Sequence, residues 1–188
     1  MLFFDTRHSG DGSTSCATCH GPELGWTDGQ QLSAGYSRGN LYFRNTPTLL
    51  NATKMPVYDW DGRFANGDID SLVRDHVAEA HFMNLDGRLL VERMRQIPDY
   101  DEAFDRLWGN EVSYGKVLKA VSAFIATLES ENHPLIRFLN GDQSALSSQA
   151  QSGFELFNGK AGCARCHGGD LLSDGEFHNL GVPDNPAI

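Results

Sequence analysis

One pentapeptide pattern, Cys-x-x-Cys-His, occurs twice in this chain and uses all four of its cysteines. The two copies are Cys16-Ala17-Thr18-Cys19-His20 and Cys163-Ala164-Arg165-Cys166-His167. Two cysteines separated by two residues can form thioether bonds with the two vinyl groups of one haem, and the histidine directly after them can reach the iron. The pattern therefore predicts two covalently bound haem c groups, with His20 and His167 as the iron ligands.

Two other roles for paired cysteines fit the spacing less well. A zinc ribbon also needs two Cys-x-x-Cys pairs, but these usually lie about 15–20 residues apart, whereas Cys19 and Cys163 are separated by most of the chain. A thioredoxin-like site needs a strand before the first pair, and residues 9–15 (Ser-Gly-Asp-Gly-Ser-Thr-Ser) are typical of a loop. Metal binding and disulfide chemistry are the remaining alternatives.

Charge and hydropathy restrict the partners and the compartment. The formal net charge is −10 and the pI is near 5.0, so we expect no nucleic acid partner, while an acidic surface favours encounter with a basic electron carrier. No apolar run approaches the roughly 18 residues that a membrane span needs. Because haem c is attached after export, we expect a periplasmic protein whose precursor carries a leader that is not present in this chain.

The spacing of apolar residues predicts a mainly α-helical protein with two cytochrome c-like haem lobes and long loops. Residues 1–66 read as loops, and apolar residues at three- and four-residue steps predict helices after them. The predicted helices cover residues 69–80, 87–97 after Asp86 as N-cap, 100–109 after Asp99 as N-cap, 113–130 and 147–158. We divide the chain into an N-terminal haem domain, residues 1–130, and a C-terminal haem domain, residues 131–188, which is incomplete.

Several stretches together resemble the bacterial di-haem cytochrome c peroxidase/MauG family. Besides the two haem motifs they are Leu2-Phe3-Phe4-Asp5, Arg44-Asn45-Thr46-Pro47-Thr48, Trp60-Asp61-Gly62-Arg63 and Phe177-His178-Asn179-Leu180-Gly181-Val182-Pro183. The resemblance implies that the N-terminal domain with the His20 haem is peroxidatic and that the His167 haem transfers and stores an electron. It also implies a fragment, because the chain stops before the segment that supplies the second axial ligand of the second haem.

The resemblance implies roles for residues outside the haem motifs. Trp60 matches a tryptophan that family members place between the haems, and Asn45 matches an asparagine that binds calcium; each could instead anchor a turn. Arg44 and Arg63 could neutralise haem propionates through bidentate contacts or be ordinary surface arginines. His8 is expected to be an exposed residue without a special role.

Peroxide cleavage also needs a group that moves a proton from the inner to the outer oxygen. Glu79 is the first candidate and His81 the second; the alternative is that both are ordinary polar residues at a helix end. Tyr36 lies where many relatives have a histidine that blocks the resting peroxidatic iron. We therefore expect this iron to be open without prior reduction.

These features predict a di-haem c-type peroxidase-like oxidoreductase that reduces hydrogen peroxide with electrons from a small cytochrome c or a cupredoxin. One alternative is a di-haem electron-transfer cytochrome without peroxidase activity, and another is a MauG-like oxidase of a partner protein. An open iron with an acid above it would favour the peroxidase, and two six-coordinate haems would favour the electron carrier. The oligomeric state is open between a monomer and a homodimer.

Overall fold

The computed structural model describes residues 2–36, 44–65 and 67–184. The chain divides into two compact units, Met1–Leu128 and Glu129–Ile188. Its described helices are α1 Cys16–Cys19, α2 Ile69–Ala78, α3 Gly87–Arg95, α4 Pro98–Trp108, α5 Tyr114–Ala126, α6 Pro134–Leu139 and α7 Ser148–Asn158, and its strands are β1 Val57–Tyr58 and β2 Phe64–Ala65. The prediction of a mainly α-helical protein is confirmed. Across the described ranges, every helix is too short or too polar to cross a bilayer.

The five helices predicted from apolar spacing are all present, each ending a few residues earlier than, or close to, its predicted end. Asp86 caps α3 as predicted, because its carboxylate accepts two backbone N–H groups of the first turn. Helix α4 begins differently: its N-cap is Ile97 and Pro98 is its first residue, so Asp99 lies inside the first turn. Proline suits the first position of a helix because a backbone N–H at that position has no acceptor within the helix, so its absence costs no hydrogen bond.

The prediction that residues 1–66 are loops is wrong in part. Strands β1 and β2 form an antiparallel hairpin in which Val57 lies opposite Ala65 and Tyr58 opposite Phe64. Helix α1 and four short 3-10 turns also lie before residue 66; the turns are Leu2–Phe4, Thr6–His8, Pro22–Leu24 and Ala52–Lys54. Strands of two residues carry too little periodicity to be recognised in a sequence.

The core of the first unit is built from α2, α3, α4 and α5. Its buried residues are Phe3, Val73, Val77, Met83, Leu85, Leu90, Met94, Phe104, Val112, Val117, Leu118, Val121 and Ile125. Helix α5 contributes four of these at three- and four-residue steps, which places them on one face of the helix. Cys16 and Trp26 pack against this core, so the first Cys-x-x-Cys-His motif is attached to the core of the unit.

The second unit is smaller and exposes more of its apolar surface. Helix α7 ends before Gly159 and leads to the 3-10 turn Cys163–Arg165, which contains the second motif. The rings of Phe138 and Phe154 pack edge to face with their centroids 6.1 Å apart. None of residues 129–184 is fully buried. The apolar side chains of this unit are therefore only half covered by the described part of the chain.

Candidate haem sites

Both Cys-x-x-Cys-His motifs close with the same backbone hydrogen bond. The N–H of His20 donates to the carbonyl of Cys16, and the N–H of His167 donates to that of Cys163, each at 2.9 Å. In a helical turn, side chains three residues apart lie on the same face. Each turn therefore presents its two thiols together, with the histidine directly after them.

The two imidazole rings are held in the same tautomer. Nδ1 of His20 lies 3.0 Å from the carbonyl oxygen of Trp26, and Nδ1 of His167 lies 3.2 Å from that of Leu172. A carbonyl oxygen can only accept, so Nδ1 carries the proton and Nε2 keeps its lone pair. A metal-ligating histidine needs this arrangement, in which the second ring nitrogen donates to a fixed acceptor. The residues present therefore fit a haem iron at each motif.

The first motif lies in apolar surroundings. Burial lowers the pKa of His20 to about 4, although the backbone carbonyls of Trp26 and Pro47 oppose this shift. Burial also raises the pKa of the Cys16 thiol to about 12. Both groups are consequently uncharged near neutral pH. His167 of the second motif is exposed.

The Asn-Thr-Pro-Thr stretch of residues 45–48 braces the loop that follows the first motif. The hydroxyl of Thr48 donates to the carbonyl of Gly25 at 2.6 Å. The hydroxyl of Thr46, which is buried, donates to the carboxylate of Asp28 at 2.9 Å. These two bonds lie on either side of Trp26, whose carbonyl holds the His20 ring. The stretch thus supports the first haem motif from a distance in sequence.

Trp60 lies in the turn between β1 and β2 and is 55% exposed. Its indole N–H donates to the backbone carbonyl of Asn45 at 2.7 Å. Arg44 and Arg63 pair with carboxylates of the same turn at 3.0 and 2.8 Å. The side-chain amide of Asn45 donates to the carbonyl of Gln30. Four of the residues predicted to be functional are therefore brought together around one turn, which holds the indole at the surface of the first unit.

The two candidate proton-transfer residues lie directly after α2. Glu79 is the C-cap of that helix, and Nδ1 of His81 lies 3.9 Å from its carboxylate. Their side chains are 46% and 40% exposed. This separation is too long for a hydrogen bond but places both groups at one point on the surface of the first unit.

His76 is a residue that the sequence reasoning missed. It lies inside α2, is half-buried, and stacks on Phe82 with the ring centroids 4.1 Å apart and the planes 9° apart. Its Nδ1 donates to the carbonyl of Leu72 at 3.0 Å, which leaves the lone pair on Nε2. It is also close enough to His20 to lower the pKa of that residue. The available signal was a histidine on the apolar stripe of α2, four residues after Leu72.

Tyr36 is tied to the loop that leads into the first motif. Its hydroxyl accepts a hydrogen bond from the N–H of Asp11 at 2.8 Å, and its own N–H donates to the carbonyl of His81 at 3.0 Å. The phenol oxygen is therefore bound to the backbone of the loop that precedes the first Cys-x-x-Cys-His motif. It also joins that segment to the stretch that carries the candidate proton-transfer residues.

The expectation that His8 is exposed is wrong. Only 1% of its surface is accessible, and burial lowers its pKa to about 4. The guanidinium group of Arg93 in α3 donates to the carbonyls of Arg7, Ser9 and Gly10. These bonds draw the loop around His8 onto the helix and so bury its side chain.

An apolar cavity of about 260 Å³ lies beside the second motif. It is lined by Leu135, Leu146, Ala150, Gly153, Phe154, Phe157 and Leu172. The Phe157 ring centroid lies 6.4 Å from that of His167. A lining of this kind suits one face of a porphyrin ring.

The segment after the second motif folds back onto it. The N–H of Asp174 donates to the carbonyl of Cys166 at 2.9 Å, and its carboxylate lies 2.9 Å from Nε2 of His178. Ligand atoms of these three side chains lie within 4.8 Å of one another. Three side chains of this kind could hold a metal ion. A thioether bond from Cys166 to haem would, however, leave no thiolate for such a metal site, so we assign the cluster to the surroundings of the second haem motif.

Comparison with known proteins gives one consistent family. The family model described as di-haem cytochrome c peroxidase matches residues 1–144. A relative named cytochrome-c peroxidase IdrP2, from Denitromonas iodatirespirans, is 49% identical over 187 residues, which is 100% of this chain and 51% of that protein. The methylamine utilization protein MauG of Methylorubrum extorquens is 40% identical over 183 residues, covering 96% of this chain and 51% of the relative. The chain thus spans about half the length of these curated relatives.

A similar fold occurs among solved structures. The crystal structure of a MauG-like protein associated with microbial copper homeostasis matches with a TM-score of 0.81 and 26% sequence identity. The match covers 97% of this chain and 55% of that chain. The diheme peroxidase BthA of Burkholderia thailandensis matches with a TM-score of 0.71 and 22% identity, over 92% of this chain and 48% of BthA, and this likeness concerns the fold alone.

Proposed function

This chain belongs to the di-haem cytochrome c peroxidase family, and we propose that it binds two haem c groups and forms part of a periplasmic enzyme that reduces hydrogen peroxide. The observation that carries the proposal is the matched geometry of the two motifs. In both, the histidine Nδ1 donates to a backbone carbonyl and Nε2 keeps its lone pair. Because both histidines are held in the same tautomer by a backbone carbonyl, the two motifs are suited to bind haem in the same way.

The cofactors supply a binding place for peroxide and a reversible store of electrons when they are bound. Cys16 and Cys19 would hold the first haem and Cys163 and Cys166 the second through thioether bonds, and each histidine directly after them would supply a nitrogen ligand. His20 would hold the peroxidatic haem and His167 the electron-transfer haem. The overall reaction consumes two electrons and two protons for each peroxide and forms two water molecules.

A polar side chain of the first unit would move the proton during cleavage of the O–O bond. It takes a proton from the inner oxygen and returns it to the outer oxygen, which leaves as water. Glu79 is the first candidate because an ionised carboxylate can accept and return a proton, and His81 is the second. His76 is a third candidate because its Nε2 keeps a lone pair that can accept a proton.

The surroundings of Trp60 support a role in electron transfer. Its hydrogen bond to the Asn45 carbonyl and the two arginine pairs hold an oxidisable ring in one orientation at the surface. We propose that Trp60 passes oxidising equivalents from the His20 haem to the His167 haem, and that Arg44 and Arg63 contact haem propionates. Asn45 would supply one of the six to eight oxygens of a calcium site.

Electrons would come from a small cytochrome c or a cupredoxin, since the net charge of −10 suits a basic donor. Two other functions use the same two haems: electron transfer without peroxide chemistry, and MauG-like oxidation of a partner protein. They differ from the proposal in the coordination of the first iron or in the substrate that is oxidised.

Two measurements on the full-length protein, matured by a periplasmic haem-attachment system, test the proposal. The denatured polypeptide should keep its haem on a gel, with its mass increased by two haem groups; the mass of bare polypeptide would exclude covalent attachment. The electron paramagnetic resonance spectrum of the ferric protein should contain a high-spin signal, because the Tyr36 hydroxyl is held by the N–H of Asp11. Two low-spin signals alone would favour the electron carrier.

A further inference from the structure

The two residues whose carbonyls hold the histidine rings share an unusual backbone conformation. Trp26 has φ 63° and Leu172 has φ 51°, both in the left-handed region. Among the described residues, the other non-glycine residues with positive φ are Asn51, Asp59, Asn84 and Asn132. Asparagine and aspartate tolerate this region, whereas a bulky residue there is strained. The two strained residues of the described chain are thus the two that accept a hydrogen bond from a candidate iron ligand.

We propose that Trp26 and Leu172 are positioning residues for the two haem irons. Each left-handed backbone turns one carbonyl toward Nδ1 of the ligating histidine, and the resulting hydrogen bond sets the reduction potential of the iron. The inference rests on the proposed binding of haem at both motifs. It adds to each proposed iron ligand a second residue, whose backbone carbonyl orients the histidine ring.

The first unit holds the strained conformation with bonds on both sides of Trp26. Its N–H donates to the carbonyl of Gly21, whose own N–H donates to the carbonyl of Thr27, each at 2.9 Å. The indole packs edge to face against Phe3 and Phe124 with centroid distances of 5.7 and 5.8 Å. A strained backbone persists only where its surroundings over-determine it, and these contacts meet that condition.

The second unit restrains Leu172 less. Its N–H donates to the carbonyl of Gly169 at 3.2 Å, and its side chain is 44% exposed while lining the apolar cavity. Substitution at this position therefore disturbs fewer restraints than at Trp26, apart from the cavity contact and the N–H bond to Gly169, which proline removes. Leu172 is the better of the two positions for an experiment.

The expected effect follows from the basicity of the ligand. An imidazole whose Nδ1–H donates to a fixed acceptor is a stronger electron donor through Nε2, and it stabilises the ferric iron. Loss of the carbonyl should therefore raise the reduction potential. Loss of an outer-shell partner of this kind typically lowers metal affinity or activity about tenfold or more. If the affinity for ferric iron falls tenfold relative to that for ferrous iron, the reduction potential rises by about 59 mV for one electron.

The test compares Leu172→Pro with Leu172→Gly in the full-length, haem-loaded protein by spectroelectrochemical titration of the second haem. Both variants lose the leucine side chain, but proline holds φ near −65° and excludes the left-handed conformation, whereas glycine adopts it without strain. We expect the potential to be about 59 mV higher in Leu172→Pro than in Leu172→Gly, and a shift shared by the two variants reports the lost cavity-lining side chain. The first haem, held by His20, is the internal control and should not change.

Equal shifts in the two variants would overturn the inference, because the cavity-lining side chain and not the backbone would then control the iron. An unchanged potential in Leu172→Pro would overturn it as well. If Leu172→Pro fails to take up haem, Leu172→Ile and Leu172→Met provide a second pair of similar volume, in which the β-branched isoleucine opposes the left-handed region more strongly than the unbranched methionine. A parent protein that carries no second haem would instead contradict the proposed function.

Discussion

Replacing Trp60 by phenylalanine should separate the two haems functionally without unfolding the protein. The indole is 55% exposed and makes one hydrogen bond, from Nε1–H to the Asn45 carbonyl at 2.7 Å. Losing a hydrogen bond of this kind costs about 0.5–1.5 kcal/mol, and the lower end applies because water can reach the exposed Asn45 carbonyl. Phenylalanine keeps most of the apolar volume but removes the easily oxidised ring and its N–H donor.

The assay is rapid mixing of the full-length, haem-loaded variant with hydrogen peroxide, followed by absorption spectroscopy of both haems. The first haem should be oxidised while the second stays unchanged. Trp108→Phe is the matched control, since Trp108 is 39% exposed and stacks on Phe104 in α4 with centroids 5.2 Å apart; its kinetics should equal those of the parent. Equal transfer between the haems in Trp60→Phe and the parent would refute the reasoning and reduce Trp60 to an anchor of its turn.

Two further predictions concern the proton-transfer group and the acid stability of the N-terminal turn. Glu79→Gln should lower the rate of peroxide cleavage by roughly 10²–10⁴-fold with an unchanged haem content. If only His81→Ala or His76→Gln lowers the rate, the assignment to Glu79 is wrong. If no variant lowers it, none of these three residues is the proton-transfer group. Burial raises the pKa of Asp5, but hydrogen bonds from Arg7 outweigh it and lower the pKa well below its usual value, so the stability that this carboxylate contributes is present above about pH 4 and is lost as the pH falls further. Asp5→Asn should therefore lower the free energy of unfolding by about 1.5 kcal/mol at pH 7, with a smaller difference from the parent below pH 4 in urea titrations, and a difference that does not depend on pH would contradict this account.

Local chemistry made the haem motifs and most helices predictable from the sequence. A Cys-x-x-Cys-His motif encodes its attachment chemistry in five consecutive residues, so no knowledge of the fold is needed to recognise it. The helices of the first unit follow from apolar steps of three and four residues, and their ends were misplaced by only a few residues, as at Pro98. Membership of the family followed in the same way, from short stretches that can be read one at a time.

The geometry around the histidines was not predictable, because it depends on residues that are far apart in the chain. The burial of His8 results from Arg93, whose bond to Ser9 joins positions 84 residues apart. The effect of His76 on the pKa of His20 likewise depends on how α2 packs within the first unit, although the place of His76 on an apolar stripe was a signal.

The conformations of Trp26 and Leu172 belong to the same class. Nothing in either residue type favours a positive φ, and asparagine or glycine would be the usual choice at such a position. Each conformation is stabilised by contacts that exist only after the loop has folded against its unit or its motif. The sequence alone therefore predicts which histidines bind iron, whereas the tertiary structure decides how each ring is oriented, since a backbone carbonyl carries no side-chain signature and its direction depends on the fold.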